Sequence, residues 1–296
     1  MFRNLSASAL GVSGHQSEII ELALTYGFQG LDLDIAEFAT RAKLKGVPYA
    51  KRLLQSARLR PGTFELPLEV ETDDATFVKK LQKLSEYAQV AAEVGCTRCV
   101  AAIIPGSDKR PYHENFEFHR QRLAEVCKAL QPSGVRLGLG FQAAEYLRKG
   151  HSFQFIHDLD ALTLLVNMIG VPNVGLLIDV WELFVGGGSA DTIRKLPAAQ
   201  IVAAQVAQIP AGVAPAELNE NSRLLPSADG AIDMPAVLLA LAEIGYDGPV
   251  TPRPSRSIFR NLRRDAIVKE SGESLVRVWK AAGLGAHGRP VAPART

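Results

Sequence analysis

Apolar runs with the length of a β-strand alternate along this chain with longer amphipathic segments, and the alternation repeats eight times. Several of the amphipathic segments end in glycine directly before the next apolar run, as helices commonly do. Strand followed by helix, repeated with no break in composition, predicts an α/β fold with a single (β/α)8 barrel. The predicted strands lie at 5–12, 30–35, 59–66, 96–104, 135–141, 174–180, 201–207 and 249–254.

A doubly wound open sheet is the competing α/β fold. Such a sheet commonly has fewer strands, and its first strand leads into a glycine-rich loop that binds phosphate. After its first apolar run this chain reads GVSGHQSE, which lacks the GxGxxG spacing. The sequence therefore favours a barrel over residues 1–284, and we expect residues 285–296 to form a flexible C-terminal tail.

Composition limits the partners and the location of the protein. The formal net charge is +2, which argues against general binding to nucleic acid or to a membrane surface. Three cysteines are too few for a disulfide framework, so we expect a cytoplasmic protein. Cys96 and Cys99 have the CxxC spacing, but their apolar surroundings favour two buried thiols over a redox or zinc pair.

Barrel enzymes place their chemistry where the carboxyl ends of the strands meet. The stretch VGLLIDVWELFVGGG (174–188) brings two carboxylates, Asp179 and Glu182, to such a strand end, followed by a glycine-rich turn. We predict these two residues as the catalytic acid and base if the protein is an enzyme. Further residues are predicted to bind a ligand at this face: Arg253, Gln205, Gln208, Gln142 and Trp181.

Two parts of the chain resemble a known family. Residues 224–254 read LLPSADGAIDMPAVLLALAEIGYDGPVTPRP, with a loop at 229–233 and a Gly-Tyr-Asp-Gly turn at 245–248. Both features resemble the end of the xylose isomerase-like TIM barrels, which include sugar phosphate isomerases, epimerases and inosose-type dehydratases. The stretch 174–188 is similar to the sixth strand of that family. The resemblance implies a TIM barrel that acts on carbohydrates as an isomerase.

The resemblance also implies a divalent cation, Mn, Mg, Co or Zn. The family's ligands are a Glu, an Asp, a His and a Glu that end the fifth, sixth, seventh and eighth strands, and the two glutamates move a proton. A guanidinium cannot ligate a metal, a glycine has no side chain to do so, and a glutamine stands at the position of the histidine. The sequence therefore predicts a degenerate metal site without a cofactor, since the four ligand positions fall on Gly140, Asp179, Gln205 and Arg253.

Three functions stay open on this reading. The first is a barrel without isomerase activity that binds a small sugar-like or anionic ligand. The second is an isomerase or epimerase of a sugar phosphate or polyol, which uses Asp179 and Glu182 directly or a relocated cation held by both and Gln205. The third, suggested by the arginine-rich run 253–265, is an endonuclease IV-like nuclease, but such enzymes need a trinuclear zinc cluster rich in His and Glu. An oligomer is possible.

The roles of three candidate residues also stay open. Arg253 forms an ion pair with Asp179 or Glu182 that fills the metal space, or it joins Arg223 in holding an anion by paired hydrogen bonds. The resemblance implies that Arg223, in NSRLLPSADG, faces the ligand. Trp181 forms an apolar wall for a sugar-like ring or is an aromatic residue of the core.

Overall fold

Parallel strands close into a barrel in the computed structural model, which describes residues 1–291. Its main sheet begins with the residues 60–61 and ends with the residues 64–65, which belong to one stretch of chain. Because this stretch pairs with a different neighbour on each side, it closes the ring and confirms the predicted TIM barrel. The strands are β1 (Phe2–Leu5), β2 (Gly30–Leu31), β3 (Arg60–Pro61), β4 (Phe64–Glu65), β5 (Arg98–Ala102), β6 (Gly106–Ser107), β7 (Arg136–Gly140), β8 (Phe153–Gln154), β9 (Val174–Asp179), β10 (Ile201–Val206) and β11 (Pro249–Pro252).

The sheet order is β3-β2-β1-β11-β10-β9-β7-β5-β4, and β6 pairs with β8 in a separate antiparallel ribbon. If β3 and β4 are counted as one strand, the barrel has eight strands, as the sequence predicts. Inside the barrel, Val100, Leu177 and Ala203 form an apolar cluster separate from the main core. This cluster closes the barrel interior below the carboxyl ends of the strands.

Helices surround the barrel and bury their apolar stripes against the strands. Several begin where an aspartate side chain accepts a hydrogen bond from a backbone N–H of the first turn, as Asp73 and Asp158 do. Within residues 1–291, none of them combines the length and the apolar character that a membrane span requires. The helices are α1 (Gln16–Thr25), α2 (Ile35–Lys45), α3 (Val47–Ser56), α4 (Asp74–Glu93), α5 (Tyr112–Leu130), α6 (Leu159–Ile169), α7 (Val180–Val185), α8 (Ala190–Arg194), α9 (Met234–Glu243) and α10 (Arg264–Ala281).

The first strand differs from the prediction of 5–12, which is wrong. Strand β1 ends at Leu5, and the apolar residues that follow form a turn in which Gly11 has φ +71°. The actual strand contains a charged residue, Arg3, whose Nε donates to the carbonyl of Gly27 at 2.8 Å. Because this strand contains a charged residue, a search for apolar runs does not detect it.

Residues 285–291 form a turn beside the start of the barrel. The amide of Gln29 donates to the carbonyl of Ala286 at 2.7 Å, and the indole of Trp279 donates to the carbonyl of Gly285 at 3.0 Å. Residues 292–296 lie outside the described residues, so the tail expected at 285–296 stays a prediction.

Candidate functional site

A cavity of about 440 Å³ opens at the carboxyl ends of the strands. Its apolar floor includes Val100 and Leu177, and polar side chains form much of its wall. A second cavity, of about 430 Å³, lies beside the loop that follows β1 and is not lined by the acids Asp179 and Glu182. The candidate site is therefore the first cavity, whose position is the one that barrel enzymes use.

Asp179 and Glu182 share one guanidinium group in the wall of this cavity. Asp179 ends β9, and its Oδ2 accepts from Nη1 of Arg223 at 2.8 Å. Glu182 lies in α7, and its Oε1 accepts from Nη2 of Arg223 at 2.7 Å. The other oxygens also have partners, since Asp179 Oδ1 accepts from the backbone N–H of Trp181 and Glu182 Oε2 from that of Ala143. We call Asp179, Glu182 and Arg223 the charged triad.

The charged triad is buried, and burial controls its protonation. Only 8% of Asp179 and 4% of Glu182 is exposed. Burial, reinforced by the neighbouring Asp179, raises the pKa of Glu182 despite its ion pair with Arg223. Burial alone would lower the pKa of Arg223, but the two carboxylates outweigh it and raise that pKa. The triad thus holds a permanent cation between two acids, one of which protonates more readily than usual.

The residues at this site do not fit a divalent cation. Within residues 1–291, no group of three or more His, Cys, Asp or Glu side chains is placed to hold a metal ion. Gly140 and Gln205 lie at the ends of β7 and β10, as predicted. The guanidinium of Arg223 donates to the carboxylate oxygens of Asp179 and Glu182 that a metal would need as ligands. A metal there would lie beside a fixed positive charge, which repels it.

Arg253 does not pair with Asp179 or Glu182, so that prediction is wrong. It follows β11, is partly exposed, and its Nη1 lies 3.3 Å from Oε1 of Glu65 at the end of β4. Arg223, and not Arg253, pairs with the two acids, because the loop after β10 folds back over the mouth of the barrel. A pair of backbone hydrogen bonds between Gln208 and Leu224 anchors this return.

The structure brings most of the predicted ligand-binding residues into one cavity and leaves two outside its lining. Gln142, Gln205, Arg223 and Arg253 line it together with the two acids. Gln208 is instead buried in the loop below: its Nε2 donates to two carbonyls and its Oε1 accepts from the N–H groups of Ile209 and Ile232.

Trp181 is also outside the lining of the cavity. It is 1% exposed, and Cζ of Arg223 lies 4.5 Å from the centre of its ring. Trp181 is therefore a core aromatic residue that supports the guanidinium through a cation–π contact.

Several residues of the cavity wall are absent from the sequence prediction, among them Glu71 and His119. Neither follows a strand directly, since Glu71 precedes α4 and His119 lies within α5. A signal did exist, because polar residues occupy the buried face of α5 at helical spacing, at Asn115, His119 and Arg122. Polar residues at core positions of a helix indicate a buried network or a site.

The fold and the position of the cavity define a (β/α)8 barrel with a polar site at the mouth, of the kind found in barrel enzymes. Comparison with known proteins identifies the family. The chain belongs to the xylose isomerase-like TIM barrel family, whose model matches residues 20–277. The resemblance stated from the sequence is therefore confirmed.

Individual relatives are distant in sequence and close in fold. An inosose isomerase of Bacillus velezensis is 26% identical over 205 residues, which cover 68% of this chain and 69% of that protein. A xylose isomerase domain protein from Alicyclobacillus acidocaldarius has a TM-score of 0.85 at 24% identity, covering 95% of this chain and 99% of that one. The IOLI protein, whose structure contains a zinc atom, has a TM-score of 0.78 at 17% identity, with coverages of 95% and 99%.

Proposed function

We propose that this family member binds a small, neutral, polyol-like ligand at the barrel mouth without a divalent metal. The observation that carries the proposal is the double ion pair in which the guanidinium of Arg223 contacts both Asp179 and Glu182. A guanidinium does not deprotonate in proteins, so it permanently balances one of the two negative charges. On this view Arg223 does the electrostatic work of a cation but cannot polarise a carbonyl as a Lewis acid does.

The charges of the cavity favour a neutral ligand over an anion. The two arginines of its lining are already paired, Arg223 with the two acids and Arg253 with Glu65. Five carboxylates face these two guanidinium groups, and an added phosphate would meet an excess of negative charge. The carboxylates of the lining are Glu65, Glu69, Glu71, Asp179 and Glu182.

Calorimetry tests this function directly. We expect myo-inositol to bind the full chain with the same Kd in EDTA and in Mn²⁺, and a myo-inositol monophosphate to bind more weakly. Gln205→Ala removes a polar group from the cavity wall and should weaken binding about tenfold. Gln131→Ala, at an exposed site after α5, is the matched control and should bind as the wild type does. Binding that requires Mn²⁺, or no binding of any polyol, contradicts the proposal.

A second candidate is a metal-independent isomerase, and one observation favours it. The raised pKa of Glu182 gives a buried carboxyl that can exchange a proton, and a relative is named inosose isomerase. Such an enzyme would exchange the hydrogen on the carbon beside the carbonyl of an inosose with solvent deuterium. NMR in D₂O with EDTA should then show exchange that Glu182→Gln abolishes, and wild-type protein without exchange rules this candidate out. The cytoplasmic location and the possible oligomer stay predictions.

A further inference from the structure

His119 presents an unprotonated ring nitrogen in the wall of the cavity. The residue is 2% exposed, and its Nδ1 lies 2.9 Å from the backbone carbonyl of Asn115. A carbonyl only accepts, so Nδ1 carries the proton and Nε2 keeps its lone pair in the neutral ring. The ring of Phe155, with its centroid 4.9 Å away, packs against the imidazole and restricts its orientation.

A second acceptor faces this nitrogen. Oε1 of Glu71 lies 3.8 Å from Nε2 of His119, too far for a direct hydrogen bond. This oxygen is shielded from solvent and has no hydrogen-bond partner among residues 1–291. Buried acceptors are nearly always paired in proteins, so an unpaired one beside a cavity indicates a donor that comes from a ligand or water.

The pair is not simply an ion pair at neutral pH. Burial lowers the pKa of His119, and it outweighs the opposing effects of the Asn115 carbonyl and of Glu71. Arg110 and Arg122 also face the ring and lower its pKa further. A neutral imidazole and a carboxylate therefore offer two lone pairs to one space, with no proton between them.

We propose that Glu71 and His119 form an acceptor pair that binds two hydroxyl groups of the polyol, one at Oε1 and one at Nε2. The inference rests on the proposed function, which it sharpens by naming the residues that select the ligand. Adjacent hydroxyl groups of a polyol each donate one hydrogen bond, as the pair requires. A phosphate or carboxylate group brings acceptors and negative charge to the same place, and the pair rejects it.

The position of the pair makes this role separate from that of the charged triad. His119 belongs to α5, which follows β5 and the short β6, and Glu71 belongs to the loop that follows β4. In the ring of strands, β7 separates β5 from β9, at whose end Asp179 lies. A ligand in the cavity thus meets the triad on one side and the acceptor pair on another.

Calorimetry on two variants tests the pair. His119→Phe keeps an aromatic ring against Phe155 and removes the acceptor, and Glu71→Ala removes the other acceptor. Each should weaken the binding of myo-inositol about tenfold. The control is His157→Phe, because His157 also directs Nδ1 at a backbone carbonyl, that of Phe155, but lies outside the cavity lining. Unchanged affinity in His119→Phe overturns the acceptor pair while the proposed function stands.

A measurement on the wild type does not depend on the folding of any variant. Long-range ¹H–¹⁵N NMR should show His119 protonated at Nδ1 only, with an Nε2 signal that shifts when myo-inositol is added. A proton on Nε2 at neutral pH, or an Nε2 signal unmoved by bound myo-inositol, overturns the inference. Wild-type protein that binds no polyol overturns the proposed function and the acceptor pair together.

Discussion

Two sides of the same cavity hold their charges in opposite ways. In the charged triad, each oxygen of Asp179 and Glu182 has a donor, and Arg223 lies across both acids. On the other side, Oε1 of Glu71 has no partner among the described residues and faces the lone pair of His119. The first arrangement satisfies itself, whereas the second is complete only when something donates to it.

The difference separates stability from recognition. A buried ion pair whose members satisfy one another has no need of a ligand, and removing one member leaves an uncompensated buried charge that destabilises the fold. An unsatisfied acceptor in a cavity wall costs stability and gains it back on binding. We therefore expect substitutions in the triad to affect folding first, and substitutions in the acceptor pair to affect ligand binding first.

The largest expected effect comes from Arg223→Met, which leaves two buried carboxylates without a cation. We expect it to lower the free energy of unfolding by about 3 to 5 kcal/mol in urea denaturation. Arg253→Met is the matched control, because Arg253 is partly exposed and pairs with an exposed Glu65. It should cost about 1 kcal/mol or less. Equal losses in the two variants would mean that the triad is no more than a surface ion pair.

Gln205 in β10 and Gln208 in the loop after it sharpen the same contrast on neutral side chains. Gln208→Ala leaves buried backbone groups of the loop unpaired and should cost about 2 to 3 kcal/mol of unfolding free energy. Gln205 lines the cavity, so Gln205→Ala should cost about 1 kcal/mol or less and act on ligand affinity instead. Thermal and urea unfolding of both variants checks this, and a reversed order of losses would contradict the assigned positions.

The smallest effect is a pH dependence from His119. Its pKa lies below the ordinary 6.5 because of burial, so between the two values the unfolded chain binds more protons than the folded one. Stability from the neutral ring is therefore present above pH 6.5 and is lost as the pH falls through that window. The loss cannot exceed about 1.4 kcal/mol per pH unit.

Comparison with His119→Phe isolates this contribution, because the variant lacks the titrating group and keeps Glu71, Arg110 and Arg122. Urea unfolding between pH 7 and pH 5 should show the wild type losing stability relative to the variant. Parallel curves would mean that the folded and unfolded pKa values of His119 agree.

The sequence predicts the barrel well because its signal is distributed over many residues. It also predicts the positions of Asp179 and Gln205 at the carboxyl ends of β9 and β10, because both strands are long apolar runs that are unambiguous in the sequence. It fails at β1, where Arg3 interrupts the apolar pattern. Strands β2 and β3 are also too short for the sequence pattern to predict where they begin and end.

The site is harder to predict than the fold because long side chains and loops decide it. Arg223 and Arg253 are both candidates from the sequence, and only the path of the loop after β10 determines which one reaches the acids. Glu71 and His119 are contributed by elements behind the strand ends, where a search for residues that end strands does not look. The local sequence pattern therefore predicts the barrel, whereas the tertiary structure determines which side chains meet in the site.

The central claim is that Arg223 takes the place of a metal between Asp179 and Glu182. Its most direct test is the metal content of protein produced with Mn²⁺, Co²⁺ and Zn²⁺ and passed through gel filtration. Our account predicts far less than one equivalent of any of them, unchanged in Asp179→Ala and in the surface control Asp191→Ala. One equivalent of metal that is retained by the wild type and by Asp191→Ala, and lost in Asp179→Ala, would contradict it.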